Sequence, residues 1–151
     1  MNVNLIKDLL NACFVAKKIT ELTPVLPKGL KPRHLSVLDT IYNLKKKQGV
    51  VYVSDVSTKL NITPPSVTTL INELVHHKFV VKLSTKNDKR KIQLNITAAG
   101  KRFYKIYIKE YHQRLCTNLQ ELDEEECRIM VNTLNQLYQL MLQSNTGISY
   151  K

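Results

Sequence analysis

Apolar positions change period twice within one short stretch of the chain. Between Thr63 and His77, Val67, Leu70, Ile71, Leu74 and Val75 follow the i, i+3, i+4, i+7, i+8 spacing of a helix with one buried face. At about 100° per residue, Pro65, Thr69, Asn72 and His76 project from the opposite side, flanked by Thr68 and Glu73. Thr63 is placed to cap this helix and Pro64 to open it. The period then falls to two. Phe79, Val81 and Leu83, and after them Ile92, Leu94 and Ile96, alternate as half-buried strands do. The polar, cationic run Thr85-Lys86-Asn87-Asp88-Lys89-Arg90 joins them. The pattern predicts a helix followed at once by a basic hairpin.

The same reading extends to both ends. Residues 2–23 predict a first helix with Leu5, Leu9, Cys13, Ala16 and Ile19 in a stripe that Ile6 and Leu10 broaden; Pro24, Pro27 and Gly29 then break the chain. Lys31-Pro32 opens a second helix to about Lys47 that buries Leu35, Leu38, Ile41 and Tyr42 and closes at Gly49. Val50 to Val53 predicts a third, small strand against the hairpin, and Ser54 a cap for a brief helix, Asp55 to Leu60, held by Val56 and Leu60. Asn61-Ile62 turns into the helix at 63–77, so two short helices meet at a tight turn with a wing behind them.

Thr97 caps a long helix to about Leu119 that carries Phe103, Tyr104, Tyr107, Ile108, Tyr111 and Leu115. Asp123 with Glu126 forms a capping box, and Leu122 with Cys127 a hydrophobic staple, at the start of the last helix. Cys127, Met130, Val131, Leu134, Leu137, Tyr138 and Met141 then repeat at spacings of three and four. From Ser144 the pattern stops, and 144–151 is expected to be a disordered tail. The expected fold is mainly α with a small antiparallel β-wing: one domain over 1–151, a winged helix-turn-helix core at 30–97, and dimerisation helices at 1–23 and 98–143. A core of about 70 residues cannot cover the outer stripes, so these helices either pack as a bundle within one chain or interleave with a second copy; the dimer is favoured, because a two-fold protein matches a palindromic duplex.

Charge narrows the partner further. The formal net charge is +11, and residues 28–114 hold 18 Lys and Arg against 5 Asp and Glu, while both flanks are close to neutral or acidic. Basic charge at the centre of a folded chain points to a polyanion, because each neutralised phosphate releases condensed counterion. Lys45, Lys46 and Lys47 in a last helical turn also suit the macrodipole, and Lys101, Arg102, Lys105 and Lys109 open the long helix. A membrane surface is the weaker candidate, since the apolar faces are committed to a core; no leader or span is patterned, and the cytoplasm is the expected compartment.

Cys13, Cys116 and Cys127 are too few and too scattered for a disulfide framework. Glycine-rich phosphate loop, nucleophile elbow and metal-ligand spacing are all missing, so neither catalysis nor a cofactor is expected. The adjacent His76 and His77 point about 100° apart, and with His34 and His112 they make no chelate, so no metal site is expected. The acidic run from Asp123 to Glu126 fits the positive end of a helix better than a cation site.

These residues carry a resemblance. The order of elements, the run Asp88-Lys89-Arg90 followed by Ile92, Leu94 and Ile96-Thr97-Ala98-Ala99-Gly100, Ser54-Asp55-Val56 and Pro64-Pro65-Ser66-Val67-Thr68 resemble the MarR family of bacterial transcription regulators over essentially the whole chain. The resemblance implies a dimer joined by its terminal helices, with recognition helices in successive major grooves and wing tips in flanking minor grooves. It implies Arg90 as the minor-groove arginine and Asp88 as the carboxylate that holds the wing or an arginine in place. The bland alternative for that pair is an exposed ion pair worth about 0 to 1 kcal/mol.

One departure shapes the expected DNA site. Family recognition helices often expose an arginine, whereas Pro64 to His77 contains no Lys or Arg. Bidentate reading of guanine is then unavailable, leaving Asn72 for adenine and the Thr68 or Thr69 methyl for thymine. An A·T-rich palindrome follows, consistent with Arg90 in a narrow minor groove. The expected DNA contacts are Pro65, Ser66, Thr68, Thr69, Asn72, His76, Lys86, Asp88, Lys89, Arg90 and Lys91, with Arg33 and Lys59 as further phosphate candidates.

The resemblance also implies release of DNA by a small, often aromatic molecule held between the winged core and the dimer helices. Cys13, Lys17, His34, Leu38, Phe103 and Tyr107 match such a cleft, although aromatics at helical spacing are more often plain core. Cys13-Phe14 resembles the peroxide-sensing branch, with a buried inert thiol as its alternative. The expected function is a dimeric, sequence-specific repressor on double-stranded DNA, relieved by an effector or by thiol oxidation. The alternative is a winged-helix nucleic-acid-binding protein without effector control, architectural or RNA-binding.

Overall fold

The computed structural model describes residues 2–22, 24–84 and 91–145. The chain falls into two compact units, 1–112 and 113–151. In the first unit α1 (Val3–Glu21) is capped by the Asn2 side chain, which accepts from the Leu5 N–H at 2.8 Å. None of its residues is buried. α2 (Pro32–Gln48) opens on Pro32 and stops at Gly49, whose φ of 78° is a left-handed conformation that glycine adopts without a steric penalty.

β1 (Val51–Tyr52) leads directly into α3 (Val53–Leu60). Here the expected Ser54 cap is corrected: the helix starts earlier, and Asp55 Oδ2 accepts from the Tyr52 N–H at 2.8 Å. A carboxylate in the first turn satisfies a free N–H and suits the positive helix end, so it displaces the hydroxyl as cap. Asn61, at φ 51°, ends α3 in the left-handed region that asparagine tolerates. The chain then enters α4 (Pro64–His76).

β2 (Val80–Ser84) and β3 (Ile92–Ile96) form the wing, and the antiparallel sheet runs β1-β3-β2. The register pairs Val80 with Ile96 and Lys82 with Leu94 on one face. The expected phase of β2 is therefore corrected. Val80 is fully buried, whereas Val81 and Leu83 remain 39% and 41% exposed on the other face, opposite Asn95 and Gln93. Ile96, buried against the core, fixes the face of its neighbour Val80, and a one-residue slip would turn every β2 side chain over.

Beyond the wing, Thr97 Oγ1 accepts from the Gly100 N–H at 2.9 Å and so caps α5 (Ala98–Tyr104). The long helix expected to follow is interrupted: Lys105–Lys109 forms a π-helical turn before α6 (Glu110–Asn118). One core unites Val37, Leu38 and Ile41 of α2, Val51, Val56, Val67, Ile71, Leu74, Val80, Leu94, Ile96, Phe103 and Ile108. Stacking of Phe79 on Phe103 at 4.5 Å and of Phe103 on Tyr107 at 4.4 Å extends it beneath the wing.

In the second unit, α7 (Glu124–Asn145) begins with Asp123 Oδ1 accepting from the Glu126 N–H at 2.9 Å, as the capping pattern predicts. Glu124 and Arg128 pair one turn apart. Much of its apolar surface is open, with Ile129 55%, Met130 58%, Val131 54% and Leu140 60% exposed. The tail expected over 144–151 starts later, since Ser144 and Asn145 still belong to α7, and 146–151 lie outside the described residues.

Candidate nucleic-acid interface

α4 turns its two faces to different environments. Val67, Ile71 and Leu74 are fully buried, while Pro65, Ser66, Thr69, Asn72 and His76 are exposed and Thr68 is half-buried. The exposed row has neither carboxylate nor fixed cation, apart from Glu73 at its edge. Hydroxyls near the helix start are partly committed: Thr63 and Ser66 share a hydrogen bond of 2.9 Å, and Thr69 Oγ1 donates to the Pro65 carbonyl at 3.1 Å. With its proton spent on the backbone, Thr69 offers a methyl group and oxygen lone pairs.

Asn72 is held from the wing. Lys82 Nζ donates to Asn72 Oδ1, so a cation of β2 fixes the amide and leaves its Nδ2 donor free. The sequence pattern did not single out Lys82, because the misphased strand put Val81 and Leu83 on the inner face. Paired with Leu94, Lys82 lies on the face that meets α4. A correct phase would have exposed it as a candidate.

Glu73 has a second role that periodicity hides. His34, 1% exposed, accepts the Lys31 N–H on Nδ1 at 2.8 Å, which places its proton on Nε2, and Nε2 meets Glu73 Oε2 at 2.5 Å. One imidazole thus caps α2 and ties it to α4.

Thr68 lines a hollow of about 400 Å³ with Tyr52, Ser54, Thr58 and Lys91. The Lys91 ammonium lies 5.8 Å from the centre of the Tyr52 ring. Lys86, Asp88, Lys89 and Arg90 lie outside the described residues. Of the DNA candidates, the structure therefore gathers Pro65, Ser66, Thr68, Thr69, Asn72 and His76 on one helix, with Lys91 at the wing base.

The effector candidates separate. Lys17 lines a cleft of about 820 Å³ between α1, α2 and α4, with Lys31, Arg33, Ser66 and Thr69. Cys13 is half-buried on α1, His34 is the clamp just described, Leu38 is fully buried, and Phe103 and Tyr107 belong to the aromatic stack. Of the six, Lys17 alone lines that cleft. Among the described residues no group of three or more His, Cys, Asp or Glu side chains is assembled as a metal site.

A second hollow lies between α2 and α5, where Tyr42 and Tyr104 stack at 3.9 Å. Tyr104 Oη donates to Asp39 Oδ1 at 3.1 Å. Burial first, and then the Asp39 charge and hydrogen bond, push the Tyr104 phenol up to about 12. It stays a neutral donor under ordinary conditions.

With this geometry in place, comparison with known proteins is informative. Residues 30–85 match the sequence model of the iron dependent repressor N-terminal DNA binding domain. The HTH-type transcriptional repressor YetL of Bacillus subtilis (strain 168) is 21% identical over 112 residues, 74% of this chain and 66% of YetL. The crystal structure of Streptococcus pneumoniae FabT in complex with DNA superposes with a TM-score of 0.65 at 24% identity, covering 94% of this chain and 99% of FabT. ZitR of Lactococcus lactis, a zinc-responsive MarR family member, gives 0.61 at 18% identity, covering 91% and 97%. The chain accordingly has the winged helix-turn-helix fold of the MarR-family regulators.

Proposed function

We propose that this protein is a MarR-family transcriptional regulator: a homodimer that binds an A·T-rich palindrome in double-stranded DNA and represses transcription. The observation that carries the reading is the outer face of α4, an exposed row of hydroxyl, amide and imidazole groups whose Asn72 is fixed by a lysine of the adjoining wing. A neutral polar helix suits base edges, and the cations beside it suit phosphates. Asn72 would read adenine, Thr68 and Thr69 thymine methyls, and Pro65, Ser66 and His76 would line the groove. Lys86, Lys89 and Lys91 would hold phosphates, with Arg90 in the minor groove and Asp88 supporting it.

Two features support a dimer. On α1, Val3, Leu5, Phe14 and Ile19 are more than half exposed, as are Ile129, Met130, Val131 and Leu140 on α7. Apolar stripes of this extent call for a partner, and a two-fold partner matches half-sites about 34 to 36 Å apart. YetL carries the description of a transcriptional repressor, and the FabT structure is of a DNA complex, which favours the same activity here. Among the described residues no helix is long and apolar enough to cross a membrane.

Selection from random duplexes, combined with sedimentation of the free protein, tests the proposal. An A·T-rich palindrome bound by two chains is expected. Enrichment of G·C-rich half-sites, a monomer, or equal affinity for random duplex at physiological salt would overturn it.

Relief by an effector is the finer part of the proposal, and the cleft at Lys17 is its best support, since a ligand there would lie against Ser66 and Thr69 of α4. The scatter of the other five candidates favours the second reading, a nucleic-acid-binding protein without effector control. Titrating the protein–DNA complex with benzoate and, separately, with peroxide distinguishes the two: release by either, abolished by Lys17→Ala or Cys13→Ser respectively, supports control.

A further inference from the structure

The hollow between α2 and α5 has no part in the DNA-binding reading, and its chemistry is specific. Tyr42, Tyr104 and Ile96 form an apolar floor, and Lys45, Lys46, Lys101, Lys105 and Lys109 supply the rim of a space of about 440 Å³. That volume falls within the range of small-molecule sites, roughly 300 to 1,000 Å³.

A row of lysines is usually a solvated face. Three observations separate this one from that. The residues line a concavity, not a convex helix surface. Among the described residues no carboxylate lines it, and the nearest one in the hydrogen-bond network, Asp39, accepts on Oδ1 from both Tyr104 Oη and Asn43 Nδ2. Among the described residues, none of the five lysines is in an ion pair. Lys101, Lys105 and Lys109 stand at successive i, i+4 positions, an arrangement that costs helix stability through like-charge repulsion. The π-helical turn runs from Lys105 to Lys109, and such turns are frequent at functional sites.

We infer that this hollow binds a small phosphorylated molecule with a flat ring, of the nucleoside diphosphate class. The ring would rest on the Tyr42–Tyr104 floor and the phosphates would be held by the lysine rim. The absence of arginine from that rim decides between anions. A single planar carboxylate is best met by a guanidinium fork, whereas several mobile ammonium groups, each a compact charge with three donors, suit charge spread over two phosphates. Tyr104, kept neutral by burial and by Asp39, adds no repelling phenolate.

The test is calorimetric titration of the full chain, free of DNA, with ADP, inorganic pyrophosphate and benzoate at low salt. ADP is expected to bind with one molecule per chain, pyrophosphate more weakly and benzoate weakest. Lys101→Gln with Lys105→Gln should weaken ADP about tenfold or more, whereas Lys7→Gln with Lys18→Gln on α1 removes the same charge and should change it less than about twofold. Tyr104→Leu should weaken ADP and leave pyrophosphate unchanged. All four lysines are exposed, and melting curves confirm that the variants fold. Absence of ADP binding, equal weakening by the two lysine pairs, or ADP and pyrophosphate bound equally would overturn the site.

Discussion

α4 and α7 have the same kind of sequence and opposite fates. Both carry apolar residues at spacings of three and four. In α4, Val67, Ile71 and Leu74 reach 0% exposure and Leu70 and Val75 are half-buried; in α7 none of the described residues is buried, Cys127, Leu134 and Leu137 being half-buried while Met130 and Val131 remain more than half exposed and Tyr138 and Met141 more than two fifths. Periodicity reports that a helix has a face to bury. It does not report whether the chain itself supplies the cover.

The sharpest way to break this contrast is to charge the open stripe. Val131→Asp with Tyr138→Asp should abolish self-association and reduce duplex affinity to the non-specific level, a loss on the order of a thousandfold or more, read by sedimentation and by titration of labelled palindrome. Undiminished assembly would mean that the exposed face of α7 is not the seam.

Next in size is the covered stripe. Leu74→Ala should cost about 2 to 5 kcal/mol in urea unfolding, by removing packed methyl groups from a site that cannot collapse fully. If the proposed dimer covers α7, Met130→Ala should instead shift the midpoint by an amount that grows with protein concentration. A concentration-independent loss would place that cover within the chain.

The smallest effects compare two residues on either side of one hydrogen bond. Asn72→Ala should remove about 1 to 3 kcal/mol of preference for adenine at one operator position, and leave the other positions untouched. Lys82→Met should cost about 1 kcal/mol at the same position by releasing the amide, and should also lower the salt slope of binding. Base-by-base substitution in the operator checks both.

Most helix ends were legible in the sequence because each signals its own start or stop: Pro32, Gly49, Pro64, Thr97 and Asp123 all act within one turn of where they sit. What eluded the pattern depends on distant partners. The phase of β2 is set by Ile96 across the sheet, and in a run as apolar as Phe79-Val80-Val81 either phase looks satisfactory. Asp55 outcompetes Ser54 as a cap because the helix starts two residues earlier than the β-branched run implied.

Candidate site residues divide the same way. Those on the outer face of α4 followed from geometry within one helix. Lys82 and the His34–Glu73 clamp needed two elements to be brought together, at sequence separations no local pattern spans. The resemblance placed Phe103 and Tyr107 at a ligand cleft, and the structure puts both in one aromatic stack, Phe103 on Phe79 and Tyr107 on Phe103.

The root of the wing is locked with unusual closeness. A Cβ on Gly100 would stand 2.1 Å from the Phe79 carbonyl oxygen, and the Thr97 backbone N–H donates to that same oxygen at 3.0 Å while its hydroxyl donates to the Lys78 carbonyl at 2.6 Å. Helix and ribbon are thus welded where they meet, and a methyl group there has no room. If the ribbon enters a flanking groove as proposed, a wider or narrower groove is poorly met by swinging the ribbon about so tightly packed a base. On that reading the DNA is the partner that bends, and operators should be ranked by how cheaply their flanks deform as well as by which bases they display.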